Sequence, residues 1–110
     1  MTTEGFFERN LADVVDRLTR AGYTDSFTGT PEGVKALRNG WVHKPQELQV
    51  DQVARFEGVT DPEEEALVLA LSCAAHGCRG TYVVPYGKNM SSVDGELISK
   101  IPDARKRRTA

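Results

Sequence analysis

The N-terminal part of the chain carries apolar residues at helical spacing. Between Asn10 and Ala21 they stand three or four positions apart, which places them in one stripe along a helix. The stripe consists of Leu11, Val14, Val15 and Leu18. Asn10 is a suitable N-cap, and Gly22 supplies the left-handed residue with which many helices end. The spacing therefore predicts a helix over 10–21.

Residue types that favour β-structure follow this helix directly. Over 23–28 the side chains alternate between two faces, so we expect a strand there. Glycine and proline then interrupt every period over 29–48, and this segment predicts a long excursion with one short strand at most. Alternation resumes over 48–57, where Val53, Arg55 and Glu57 share one side of a second predicted strand. An acidic turn region is expected over 58–65.

Residues 63–86 predict a β-hairpin. Strong helix formers make 63–75 ambiguous, but His76 and Gly77 suit a two-residue turn, and 81–86 is rich in β-branched and aromatic residues. If Ala75 pairs with Cys78, apolar and aromatic side chains meet on one face. That register pairs Cys73 with Gly80, Leu71 with Tyr82, Leu69 with Val84 and Leu67 with Tyr86. The opposite face is not fully polar, so we expect it to be partly covered too. The predicted buried face consists of Leu67, Leu69, Leu71, Tyr82 and Val84.

A second helix is predicted near the C-terminus. Ser91 or Ser92 can cap it, and an apolar stripe follows before Pro102. The stripe consists of Val93, Leu97, Ile98 and Ile101. Together these elements predict one α+β domain over 1–102, in which an antiparallel sheet of about four strands is packed by an N-terminal and a C-terminal helix. Residues 103–110 are expected to form a disordered tail.

The charge distribution restricts the partners of this domain. A net charge of −2 combines an acidic body with a basic tail that contains Arg105, Lys106, Arg107 and Arg108. A nucleic-acid-binding fold needs its cations gathered on one face of the domain. We therefore expect nucleic acid to be a partner only through the tail, if at all.

The sequence also predicts a location. No run of about eighteen apolar residues is present, so we expect no membrane partner. The first ten residues are acidic and polar, whereas a secretory signal is basic and then apolar. Two cysteines, Cys73 and Cys78, are too few for a disulfide framework and suit a reducing compartment. Cytoplasmic localisation is the expectation.

Three segments of the chain resemble a family of small bacterial proteins. They are AGYTDSF after the first predicted helix, VARFEGVTDPEEEALVLALS, and the strand ending in VVPYG. The most distinctive element contains Arg55, Phe56, Glu57 and Gly58, with Asp61 and Pro62. The resemblance covers 11–101, with a poorer match over 29–44, and it implies the order helix, strand, strand, hairpin, helix. Members of this family are often labelled phosphoribosylpyrophosphate synthetase.

That label requires a particular site. A phosphoribosyl site combines an acidic loop, which reaches the ribose hydroxyls, with a Thr-Gly-Gly-Thr type cradle of backbone N–H groups for the phosphate. The chain contains no such cradle. We therefore reject phosphoribosylpyrophosphate synthetase activity for it.

Metal-ligating residue types occur in two places. Cys73, His76 and Cys78 lie within six residues, and His43 is a fourth candidate ligand. Their spacing differs from the paired Cys-x-x-Cys turns of structural zinc sites, so we expect no bound metal. The acidic residues over 57–65 lack EF-hand spacing, and we interpret them as a solvated loop.

Catalytic motifs are not evident in the sequence. It contains no serine elbow, P-loop or dinucleotide fingerprint, and no cofactor is expected. Arg55 and Glu57 form either cross-strand ion pairs, which we favour, or a small polar binding surface. The favoured function is a small non-catalytic binding or accessory module, with a protein partner or a homodimer left open. The alternatives are a nucleic-acid-associated protein that uses the tail and, with less weight, an enzyme with a dispersed site.

Overall fold

The computed structural model describes residues 11–56, 65–73, 77–85 and 90–104. They form an α+β domain with two helices and a mixed six-stranded sheet. The elements are α1 (Leu11–Arg20), β1 (Asp25–Thr30), β2 (Gly33–Ala36), β3 (Val42–His43), β4 (Gln49–Phe56), β5 (Ala66–Cys73), β6 (Cys78–Pro85) and α2 (Ser92–Lys100). The strands lie in the order β3-β2-β1-β6-β5-β4, and a short 3-10 turn at Pro45–Glu47 precedes β4.

Helix α1 confirms the first predicted stripe. Val14 and Leu18 are buried, because they pack against Val68 and Ala70 on one face of the sheet. Gly22 ends the helix with a φ of 111°, and the Tyr23 N–H donates to the Leu18 carbonyl at 3.1 Å. The predicted Asn10 cap lies outside the described residues.

The β5–β6 hairpin has the predicted buried face but a different register. The structure pairs Cys73 with Cys78, so that Leu69 lies opposite Tyr82 rather than Val84. The predicted two-residue turn was therefore wrong, because four residues separate the two paired cysteines. A shift of two positions keeps every side chain on its own face, since the strand period is two. The predicted face was correct for this reason, and all its members are buried except Leu67, which is partly buried.

The hairpin is covered on both sides, as its second face suggested. Leu69 and Leu71 belong to the core beneath α2, which also contains Leu97 and Ile101. Val68 and Ala70 point to the other face and belong to the core beneath α1. The two helices therefore pack on opposite faces of the sheet.

Residues 29–48 correct the prediction of a long excursion. This segment completes β1 and contains β2 and β3, which is why the sheet has six strands rather than about four. Gly33 lies at the β1–β2 turn with a φ of 152°, and a Cβ there would overlap the His43 carbonyl oxygen. The Thr30 hydroxyl accepts hydrogen bonds from the N–H groups of Glu32 and Gly33 in the same turn. The glycines that interrupt the period thus allow tight strand connections.

The sheet is mixed, which corrects the expectation of an antiparallel one. Strand β1 pairs in parallel with β6, with Asp25 opposite Gly80 and Phe27 opposite Tyr82. A Cβ at Gly80 would overlap the Asp25 carbonyl oxygen, so the two backbones approach closely only because this residue is glycine. The first residues of β1 and β6 consequently lie side by side at one end of the sheet.

Helix α2 confirms the second predicted stripe. The Ser91 hydroxyl caps it by accepting from the Asp94 N–H at 3.1 Å. The Tyr82 hydroxyl donates a hydrogen bond to the Asp94 carboxylate and so connects the helix to β6. Beyond the helix, the Val50 N–H donates to the Pro102 carbonyl at 2.8 Å, and Asp103 bridges to Val50. Neither described helix has the length and apolar character needed to cross a membrane.

Candidate functional site

A cleft lies at the end of the sheet where β1 and β6 begin. Its cavity volume is about 450 Å³, within the range of small-molecule sites. The turn between β2 and β3 forms the opposite wall. The side chains that determine its chemistry are Asp25, Arg38, Trp41, His43, Cys78 and Arg79.

The β2–β3 turn is held by backbone and side-chain hydrogen bonds. The Ala36 N–H donates to the Trp41 carbonyl at 2.8 Å, and the Gly40 N–H donates to the Ala36 carbonyl at 2.8 Å. The Asn39 side-chain oxygen accepts from the Trp41 N–H at 2.9 Å, and Gly40 takes a φ of 75°. The turn therefore presents Arg38 and Trp41 from a defined backbone.

Asp25 and Arg38 form an ion pair across the cleft. The Arg38 guanidinium lies 3.1 Å from the Asp25 carboxylate. The Asp25 side chain is 11% exposed and that of Arg38 is 76% exposed. A carboxylate that is largely removed from water needs such a partner, because burying an unpaired charge is costly. The ion pair thus neutralises the negative charge on this wall.

Trp41 and His43 form the aromatic part of the cleft. Trp41 is 53% exposed, whereas His43 is 3% exposed. Their ring centroids lie 6.3 Å apart, and the His43 ring also meets Phe27 edge-on at 6.0 Å. The His43 Nδ1 atom lies 3.7 Å from a Glu47 carboxylate oxygen. The buried His43 ring therefore lies next to the Trp41 ring, about half of which is exposed to solvent.

Cys78 contributes a thiol with low reactivity at neutral pH. Burial raises the pKa of the Cys78 thiol, and the neighbouring Cys73 and Asp25 raise it further. The thiolate is the nucleophilic form of cysteine, so a raised pKa keeps this group in its unreactive state.

Arg79 is the second arginine in the lining of the cleft, together with Arg38. Its guanidinium lies over the Tyr23 ring, 5.9 Å from the centroid. Tyr23 is held in turn, because its hydroxyl donates to the Asp51 carboxylate at 3.0 Å. Burial and this hydrogen bond raise the pKa of Tyr23. Among the residues that the structure describes, Arg79 forms no ion pair with a carboxylate.

Of the predicted site residues that the structure describes, Cys78 lines this cleft and Arg55 does not. Arg55 is exposed on β4, the edge strand at the other side of the sheet, where it lies opposite Leu67. Glu57 and His76 lie outside the described residues, as do the predicted tail cations Arg105, Lys106, Arg107 and Arg108. The interpretations placed on those residues therefore stay predictions.

The structure brings the two cysteines of the predicted metal-ligand set together. Cys73 and Cys78 are directly paired, and Cys78 lines the same cleft as His43. Within 11–56, 65–73, 77–85 and 90–104, no three metal-ligating side chains are grouped closely enough to hold an ion.

Sequence reasoning missed the cleft because its residues come from separate segments. Asp25 and Arg38 are thirteen positions apart, and Arg79 reaches the site only through the parallel pairing of β1 with β6. The one available signal was Trp41, a large apolar residue in a segment rich in glycine and proline. An indole in such a segment has few neighbours along the chain to cover it.

Comparisons with known proteins found no relative, so functional inference rests on the geometry of the cleft. No protein-family model, no curated protein and no solved structure matches the chain. The resemblance to the small bacterial family thus remains an expectation from the sequence.

Proposed function

We propose that this domain is a non-catalytic binding module that holds a small planar anion in the cleft. The observation that carries the proposal is that one concave site is lined by a half-exposed indole, Trp41, and by Arg79, whose guanidinium has no ion-pair partner among the described residues. A planar ring carrying a carboxylate or a phosphate matches both features.

The aromatic wall favours a planar ligand. Trp41 is 53% exposed although it is the largest apolar side chain of the domain, so much of its surface can be removed from water by a ligand. Ring systems stack on such a surface in an offset or edge-on arrangement. The backbone of the turn that carries Trp41 is fixed by hydrogen bonds, so less of this wall has to be ordered when a ligand binds.

The charges favour an anion over a cation. Asp25 is paired with Arg38, and its charge is therefore offset. Arg79 contacts the face of an aromatic ring rather than a carboxylate in the described part of the chain. Guanidinium groups bind carboxylates and phosphates through paired N–H donors, so Arg79 is suited to the charged end of the ligand.

The same geometry argues for binding rather than catalysis. The Cys78 thiol is held protonated by its surroundings, and the Asp25 carboxylate is occupied by Arg38. Nucleophilic catalysis needs a nucleophile activated by an adjacent base or by a lowered pKa. The Cys78 thiol has a raised pKa rather than a lowered one, and the Asp25 carboxylate is paired with Arg38, so neither group meets that requirement.

The single tryptophan makes the test direct, because Trp41 is the only indole in the chain. The experiment titrates adenosine monophosphate and naphthoate while intrinsic fluorescence is followed, with uncharged adenosine and cationic naphthylmethylamine as matched controls. We expect saturable quenching by the two anions and at least about tenfold weaker binding of the controls, as charge-assisted hydrogen bonds predict.

Two variants connect that signal to the cleft. Arg79→Gln should weaken anion binding by about tenfold, because it removes a positive charge from the lining of the cleft. Arg20→Gln removes another exposed cation, from α1, that does not line the cleft, and it should leave binding unchanged. Equal binding of charged and uncharged ligands, or equal losses in the two variants, would overturn the proposal.

A further inference from the structure

The two cysteines occupy directly opposed positions in the hairpin. Cys73 is the last residue of β5, Cys78 is the first residue of β6, and they are partners in the antiparallel register. Opposed residues in such a ladder have Cα atoms about 4.5 or 5.5 Å apart, depending on the hydrogen-bonding pattern. Both separations fall within the range of about 4.4–6.8 Å that a disulfide spans.

The side chains of the pair share one face and one environment. Residues directly opposite each other in a ladder point to the same side of the sheet. Cys73 is 1% exposed and belongs to the core beneath α2, and Cys78 packs against that core while also lining the cleft. Both thiols are free, and their contact is close enough to affect the titration of Cys78.

We propose that Cys73 and Cys78 form a reversible intramolecular disulfide, which makes the wall of the cleft a redox-responsive site. This inference goes beyond the proposed ligand binding and does not depend on it. A low-molecular-weight disulfide, such as oxidised glutathione, is the oxidant. A reducing compartment holds the pair as two thiols, and oxidant exposure converts it to the disulfide.

Accessibility determines the order of the two steps. The half-buried Cys78 loses its proton and its thiolate attacks one sulfur of the external disulfide, so that one small thiol leaves with that proton. The Cys73 thiolate, formed by loss of its own proton, then attacks the Cys78 sulfur and expels the second small thiol. Two protein thiols are oxidised to one disulfide, and the external disulfide is reduced to two thiols.

Burial determines how the rate depends on pH. Exchange requires a thiolate, and burial raises the pKa of Cys78, so the attacking form is scarce at neutral pH. The rate of disulfide formation should therefore rise as the pH is raised toward the Cys78 pKa. Cys73 needs no solvent access of its own, because its target is the sulfur beside it.

The test uses the full folded chain and oxidised glutathione. After the reaction is quenched with acid, the chain is unfolded, alkylated and weighed by intact mass spectrometry. We expect a product that has lost the mass of two hydrogen atoms, carries no alkyl group, and returns to two alkylated cysteines after dithiothreitol treatment. A stable glutathione adduct with one alkylated cysteine, or two alkylated cysteines throughout, would overturn the proposal.

Two variants separate the roles of the cysteines. Cys73→Ala removes the resolving thiol, and we expect a persistent glutathione adduct on Cys78. Cys78→Ala leaves only the buried Cys73, and we expect at least about tenfold slower adduct formation, since access controls the first attack. Equal rates of adduct formation in the two variants would contradict the assignment of Cys78 as the entry point.

An NMR spectrum of the oxidised wild-type chain checks that the disulfide fits the native register. This measurement does not depend on any variant. The amide correlation spectrum should keep its dispersion, with shifts concentrated at the ends of β5 and β6. Loss of dispersion on oxidation would show that the bond forms only in a non-native register and would reject the proposal.

Discussion

The hairpin of β5 and β6 and the edge formed by β2 and β3 differ in how far their apolar side chains are buried. The hairpin is covered on both faces, with Val68 on one side and Leu71 on the other removed from water. The β2–β3 edge leaves Leu37, Trp41 and Val42 exposed around a turn that contains Gly40. Central strands bury their side chains against neighbours on every side, whereas an edge strand has a neighbour on one side only. The comparison separates the region that stabilises this domain from the region that is open to a ligand.

Truncation of a central leucine should give the largest effect. Leu69→Ala is expected to lower the free energy of unfolding by about 2–5 kcal/mol, because it leaves a cavity in the core beneath α2. Trp41→Ala, at the exposed edge, should cost about 1 kcal/mol or less. Urea denaturation of both variants measures the difference. A Leu69→Ala loss of less than about 1 kcal/mol would contradict the burial of this face.

Two glycine substitutions test the pairing of β1 with β6, which connects the hairpin to the β2–β3 edge. Gly80→Ala should cost about 2–3 kcal/mol, because the new Cβ overlaps the Asp25 backbone in the parallel pairing of β1 with β6. Gly95→Ala in α2 is the matched control, since its Cβ would meet only Met90 Sδ at an ordinary 3.6 Å. The control should gain up to about 1 kcal/mol from helix propensity. Thermal unfolding of the two variants in parallel tests this difference, and equal losses would contradict the close β1–β6 approach.

The tyrosine between β6 and α2 should make stability depend on pH. Burial and the hydrogen bond to Asp94 raise the pKa of Tyr82 above its ordinary value of 10.0. The folded chain therefore holds this proton at a pH at which the unfolded chain releases it, so stability is complete below pH 10 and falls as the pH rises further. Tyr82→Phe should flatten that decline and cost about 1–2 kcal/mol at neutral pH. Urea titrations on both sides of pH 10 measure both effects, and an unchanged alkaline decline would contradict the assignment.

Removal of the two ion pairs should give the smallest effects on stability. Arg38→Gln is expected to cost about 1 kcal/mol, because Asp25 is largely buried but its partner is exposed and screened by water. Arg20→Gln breaks the exposed pair with Asp16 on α1 and should cost about 0.3–0.5 kcal/mol. Chemical denaturation at low and high salt checks the two values. A larger loss in Arg20→Gln would contradict the burial of the Asp25 carboxylate.

The elements with a clear period were predictable from the sequence. The helical spacing of Val14 and Leu18 and the cap at Ser91 correspond to α1 and α2 as observed. Alternation likewise identified the buried face of Leu69 and Tyr82, although the register was off by two positions. Strands β2 and β3 were not predictable, because they have four and two residues and are too short to show a period.

The candidate cleft was beyond the reach of the sequence for a different reason. Asp25, Arg38 and Arg79 line one cleft only because β1 pairs in parallel with β6 while β2 and β3 fold back beside β1. Such pairing depends on contacts between segments that are distant in the sequence, so it cannot be predicted from a local pattern of residues. The same applies to Cys73 and Cys78, whose direct pairing required the four-residue connection.

By itself, the sequence determined the helices, the buried face of the hairpin and the acidic character of the body, because these follow from local spacing and composition. The tertiary structure alone decided the strand order, the mixed sheet and the cleft. The physical reason is that side-chain period specifies which face of an element is buried, while the partner of that face is chosen by the packing of the whole chain. Trp41 illustrates this division, since its apolar character is evident in the sequence but its exposure in the cleft appears only in the fold.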